Sequence, residues 1–169
     1  MDMGLRFGLE SRSRCYIRKN RWLFKIPEVS ADGIFALPPN KSSRPNLTFK
    51  EIEVPHLTEN VYIPGKPDWK PIALTLYDIG EKVSPVFEWL KTLYDPERDA
   101  RYTPATDRNF IREATLELYS GAGDLLETWI YENCWAQATD FGDLDMSSAE
   151  ICMCDVTLRY ARAYWFQGN

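Results

Sequence analysis

From Phe110 to Tyr131 apolar and polar residues alternate on both sides of a glycine turn, which commits this part of the chain to an antiparallel sheet. Ala114, Leu116 and Leu118 fall on one side, and Glu113, Thr115 and Glu117 on the other. That period of two belongs to a strand with one face in a core and one in solvent. Gly121-Ala122-Gly123-Asp124 supplies the hairpin turn, and Leu125–Tyr131 returns. A closing strand is predicted over Ile151–Trp165, with Cys152, Cys154, Val156, Leu158 and Tyr160 on one face. Near the start, Trp22, Phe24 and Ile26 alternate in a strand that opens at Arg21. Leu47–Val54 reads as another, stopped by Pro55.

Between these strands lies one helix. Ser84 is a good N-cap and Pro85 suits the first helical position, where its missing N–H is no loss. Val83, Val86, Phe87, Leu90, Leu93 and Tyr94 recur at spacings of three and four, a stripe that must lie on a sheet. Asp95-Pro96 ends it, and residues 95–109 read as a loop. Val61–Asp78 predicts a short strand, a turn at Pro64-Gly65 with a charged tip, and a second strand burying Ile72, Leu74 and Leu76. Gly65 permits positive φ there, and Pro64 and Pro67 stiffen the loop. A rigid projection without a reactive group points to docking. Together these elements predict a mainly β fold: a sandwich or barrel of antiparallel strands with one packed α-helix.

A chain of 169 residues suits one domain. Residues 1–20 read as a basic arm and 21–169 as a single β domain with a proline-rich excursion over 27–45, including a short strand near Ile34–Leu37. Residues 1–21 hold six cations against Asp2 and Glu10, which leaves +4 there and −9 on the remainder of a chain of net charge −5. A basic arm thus precedes an acidic body, and reads either as a solvated, mobile terminus or as an arm that pairs with the acidic body of a neighbouring subunit. A nucleic-acid-binding arm lacks a folded reader beside it, and a transit peptide is weakened by Asp2 and Glu10. No apolar run approaches the roughly 20 residues that span a bilayer, and no secretory apolar region follows Met1, so a cytosolic product without a membrane role is expected.

No catalytic pattern emerges. The sequence contains no P-loop, GxGxxG, GxSxG, HExxH or kinase motif. The lone histidine, His56, follows Pro55 in a turn and makes no triad. Glu113 and Glu117 stand about 13 Å apart along a strand, too far for a glycosidase pair, and Glu51 and Glu53 about 7 Å apart on a solvated face. Asp140, Asp143, Asp145 and Glu150 read as an acidic surface loop that departs from the EF-hand spacing. Cys15, Cys134, Cys152 and Cys154 form no CxxC pair, and Cys152 and Cys154, two apart on one strand face, read as buried, reduced core thiols rather than as a metal or redox pair. No cofactor or metal site is expected.

The order of motifs resembles a family. Arg21-Trp22-Leu23-Phe24 is followed by Asn60-Val61-Tyr62-Ile63-Pro64-Gly65-Lys66, then Asp68-Trp69 leading to Leu74-Thr75-Leu76-Tyr77-Asp78. Phe87-Glu88-Trp89-Leu90 lies in the helix, and Glu132-Asn133-Cys134-Trp135-Ala136 follows the hairpin. Phe141-Gly142-Asp143-Leu144-Asp145, Glu150-Ile151 and a strand running to Tyr164-Trp165 complete it. Over roughly residues 20–166 the chain resembles the tail tube proteins of contractile-tailed bacteriophages, typified by the phage T4 tube protein. Ala136-Gln137-Ala138 departs from that pattern.

The resemblance implies a structural protein whose hexameric rings stack into a hollow tube, with a fold shared with the Hcp rings of type VI secretion. It implies a lumen that houses a tape-measure protein and conducts DNA without specific binding. The implied partners are further copies, tail sheath, baseplate and tail terminator proteins, and the implied location is the virion tail, after assembly in host cytoplasm. The ring-stacking candidates are Arg12, Arg14 and Arg18 in the arm and Tyr62, Pro64, Gly65, Lys66 and Asp68 in the loop. The lumen candidates are Glu51, Glu53, Glu113 and Glu117, because a wall of like charge does not arrest phosphates. The competing expectations are the tube of a contractile injection or type VI secretion system, and a monomeric β-sandwich binding module with a concave aromatic face.

Overall fold

The computed structural model describes residues 17–26, 39–78, 85–97, 101–102 and 110–167. Strand β8 (Arg112–Tyr119) and the long strand β9 (Leu125–Asp140) form the expected hairpin. The turn closes by design of its residues. Ser120 Oγ accepts from the amides of Ala122 and Asp124, both at 3.1 Å, and Gly123 takes φ 95°, the left-handed conformation that a Cβ disfavours.

β9 organises the molecule because it belongs to two halves of one sheet. Its first half pairs β8 and β11 (Arg162–Gln167), and its second half pairs β10 (Met153–Arg159). Between them Asn133 adopts φ 54°. There the register slips from Ala114↔Tyr131 to Arg112↔Cys134, so β9 carries an extra residue opposite β8, a bulge that bends the strand. Asparagine is among the few L-residues that tolerate this conformation. The complete path runs β1 (Trp22–Lys25), β8, β9, β10, β5 (Ile72–Tyr77), β2 (Pro39–Ser42), with β11 beside β9.

The two halves bury their alternating faces against each other. Phe24, Leu116 and Leu118 come from one half and Leu74, Leu76, Val156 and Leu158 from the other, all 5% exposed or less. Rings join the halves: Phe24 lies 5.8 Å from Tyr131, Tyr131 5.1 Å from Tyr160, and Tyr160 5.9 Å from Trp69. Burial pushes the Tyr131 phenol far up and the Tyr160 phenol up to about 12.

Helix α1 (Pro85–Leu93) forms as expected, but its buried line is Val86 and Trp89, with Phe87 only half-buried and Tyr94 exposed. The Trp89 indole N–H donates to the Phe110 carbonyl at 2.8 Å, which lets so large a ring sit inside. Ser84, Val83 and the strand expected at Ile34–Leu37 lie outside the described residues.

Several expectations are corrected. Pro64-Gly65 is not a turn: Asn60–Trp69 is one strand, β4, paired with β3 (Leu47–Pro55). The hairpin's turn is at His56 and Glu59, whose backbones exchange bonds of 3.0 and 3.2 Å. Trp69 ends β4. Gly65 is not among the positive-φ residues. Its role is close approach: a Cβ there would meet the Lys50 carbonyl oxygen at 2.8 Å, beside the slip from Phe49↔Pro67 to Glu51↔Pro64. Pro64 and Pro67 are admitted because β3 and β4 form a separate two-stranded sheet, and prolines are tolerated on edges and at bulges.

The predicted closing strand divides at Tyr160–Ala161 into β10 and β11. Cys152 precedes β10 and is exposed, whereas Cys154 and Cys134 are buried. Their thiols are pushed up to about 11 and about 12, both chiefly by burial. In the supposed loop over 95–109, β6 (Tyr94–Asp95) pairs β7 (Arg101–Tyr102). Part of the proline-rich excursion is a strand, β2, against β5.

Candidate assembly surface

The β3–β4 hairpin leaves the core and is exposed along nearly its whole length. Register assigns its two faces. Val54 stands opposite Val61 and Ile52 opposite Ile63, so four aliphatic side chains share one face, between 41% and 52% exposed. The alternate positions pair Glu53 with Tyr62 and Glu51 with Pro64, which gives the other face carboxylates and one aromatic ring. Asn60 Nδ2 donates to Glu53 and steadies that carboxylate. Together the aliphatic four make a continuous, half-exposed apolar patch on this hairpin.

The root of the hairpin is pinned. Asp68 pairs with Lys70 at 2.7 Å and with Arg159 of β10 at 3.5 Å. The Lys70 hydrogen bond and charge hold its carboxyl below the usual carboxylate range. Arg159 Nη1 also donates to the Trp69 carbonyl at 2.9 Å. Asp68 therefore anchors the hairpin to the body of the same chain instead of standing at a projecting tip.

The structure brings Tyr62, Pro64, Gly65, Lys66 and Asp68 together along β4, with Glu51 and Glu53 on neighbouring β3. Glu113 and Glu117 lie apart from them, on the outer side of β8. Glu113 is exposed. Glu117 reaches Lys25 Nζ at 2.8 Å and accepts from the Tyr119 hydroxyl. Burial raises the Glu117 carboxyl, but these two hydrogen bonds outweigh it and set it below its ordinary value. Arg18 is exposed beside β1, and Arg12 and Arg14 lie outside the described residues. Sequence reasoning missed the aliphatic face. Its signal was present in the alternation of Ile52 and Val54, hidden by reading Pro64-Gly65 as a break.

Among the described residues, one sheet folded on a common core, one helix and a separate two-stranded hairpin define a mainly β fold. The chain is similar at 18% identity to a protein of the anti-feeding prophage tube terminating cap, covering 92% of this chain and 93% of that one with a TM-score of 0.71. It is likewise 18% identical to a chain of the sheath-tube complex of the extracellular contractile injection system PVC, in the extended state, covering 94% and 97% with a TM-score of 0.72. A crystal structure of Hcp aligns over 88% of this chain and 94% of that one, at 10% identity and a TM-score of 0.52. These likenesses establish the mainly β, Hcp-like fold anticipated from the motif order. No family model and no curated protein matches the sequence.

Proposed function

We propose that this chain is a structural subunit of the inner tube of a contractile machine, and that copies close into hexameric rings that stack. The observation that carries this reading is the β3–β4 hairpin, whose aliphatic face is about half exposed and lies outside the core cluster of the described residues. Covering the exposed half of Ile52, Val54, Val61 and Ile63 is worth about 1 kcal/mol for each side chain. The free edges of β3, β4 and β11 supply further pairing positions that ring closure removes.

The hairpin, with Tyr62, Pro64, Gly65 and Lys66, is the ring-to-ring contact in this account, and the arm around Arg12, Arg14 and Arg18 assists it. Glu51, Glu53, Glu113 and Glu117 face the lumen. Glu113 supports that role best because it is exposed on the outer side of β8. In a phage tail such a lumen houses a tape-measure protein and passes DNA, and the tube lies inside a sheath in the virion. Two of the solved structures similar to this chain are of an extracellular contractile injection system, which favours protein cargo as the second reading. A cap or terminator position is a third, supported by the likeness to the prophage cap.

Sedimentation velocity of the purified protein tests the assembly reading. Discrete species of ring mass and larger are expected, and a monomer that persists at high concentration would overturn it.

A further inference from the structure

The path of strands ends at β1 on one side and β2 on the other, and the two come alongside without hydrogen bonding. Between them opens a groove of about 690 Å³. Its floor is Trp22, Leu116 and Leu118, the inner face of the β1–β8 pair, and its rim carries Arg18, Lys19 and Lys41. Arg44, also on the rim, is engaged by Glu127 at 3.2 Å. Glu127 in turn accepts from the Trp129 indole at 3.1 Å, and among the described residues no carboxylate pairs with Arg18, Lys19 or Lys41. A basic rim over an apolar floor calls for an acidic segment that carries apolar side chains. The basic arm at the start of the chain has the wrong sign.

The segment linking β9 to β10 has the matching chemistry. Asp143-Leu144-Asp145-Met146 alternates acid and apolar residues, and Leu144 is 87% exposed with Met146 fully so. Asp145 is held charged below its ordinary value by hydrogen bonds from the Ser147 hydroxyl and amide. Asn40 at the end of the groove touches Met153 Sδ at 3.4 Å, so the root of the segment lies near its own groove. Even so, Leu144 and Met146 stay out of it.

We infer that the groove between β1 and β2 receives the Asp143–Met146 segment of a second copy. This rests on the tube-subunit reading and deepens it. A heterologous contact of this kind, in which one patch of a subunit meets a different patch of the next, generates rings or open filaments. Opposite charges set its register and speed its formation.

Cross-linking between two differently sized versions tests it, both in a Cys15→Ser, Cys152→Ser background. One carries Ser43→Cys at the groove, the other Leu144→Cys in the segment. Under mild oxidation, mixed assemblies are expected to yield the heterodimer, and adding Lys41→Glu to the groove version should reduce its yield several-fold. Rings visible by electron microscopy in the same mixture without the heterodimer would overturn the inference and leave the tube reading standing. Absence of rings from both the mixture and the unmodified protein would defeat the tube reading itself, and the inference with it.

Discussion

Ile52 and Ile63 stand directly opposite each other in the β3–β4 ladder, 52% and 47% exposed and outside the core cluster of the described residues. An aliphatic cross-strand pair stabilises its ladder modestly, yet this one shows half its surface to water. Ile52→Asp is therefore expected to leave the melting temperature within a few degrees of the parent while abolishing ring and tube formation. Sedimentation and thermal unfolding on the same sample check both halves. Unchanged assembly would remove the hairpin from the interface.

Gly65 has a different task. A methyl group at this position would meet the Lys50 carbonyl oxygen at 2.8 Å and Ile52 Cγ1 at 3.1 Å. Backbone cannot give way as a side chain can, so Gly65→Ala should force the two strands apart at the bulge. Faster amide hydrogen exchange confined to residues 47–69 is expected, with the core unaffected and assembly weakened.

The bend of β9 offers a test of the fold alone. Asn133 at φ 54° should accept glycine at nearly neutral stability. Asn133→Val places a β-branched residue in the left-handed region and is expected to cost about 1–2 kcal/mol, a loss of roughly 2–8 °C in melting temperature for a domain of this size. Equal melting of the two variants would show that the bend is not needed.

Lys25 and Glu117 tie β1 to β8 at 2.8 Å. The Glu117 carboxyl is lower in the folded protein than its ordinary value of 4.5. The pair's contribution is therefore present above the unfolded value and is lost as pH falls through the folded one. Lys25→Met should cost less than about 1 kcal/mol near neutrality, as partly exposed pairs do. That difference should shrink progressively as the pH falls below 4.5, which thermal melts stepped down from pH 7 will read. A constant difference would assign the loss to packing.

The fold was legible wherever one face of a strand is buried. Leu74, Leu76, Leu116, Leu118, Val156 and Leu158 could be placed from period alone because the core lies on one side of each strand. The β3–β4 hairpin was harder because its two faces do not divide into core and solvent. Prolines at 64 and 67 mimic a turn when the free edge that tolerates them is unseen. The groove was out of reach for a related reason. It joins Trp22, Leu118 and Lys41, which become neighbours only when β1 and β2 close the path. Cys152 looked like a core residue by parity with Cys154, but the strand begins one residue after it.

Negative-stain electron microscopy of the purified, concentrated protein bears most directly on the central claim. Rings of uniform diameter with an open centre are expected, some stacked end to end, and they should be missing from Ile52→Asp prepared in parallel. Featureless particles of monomer size from the unmodified protein would contradict the account.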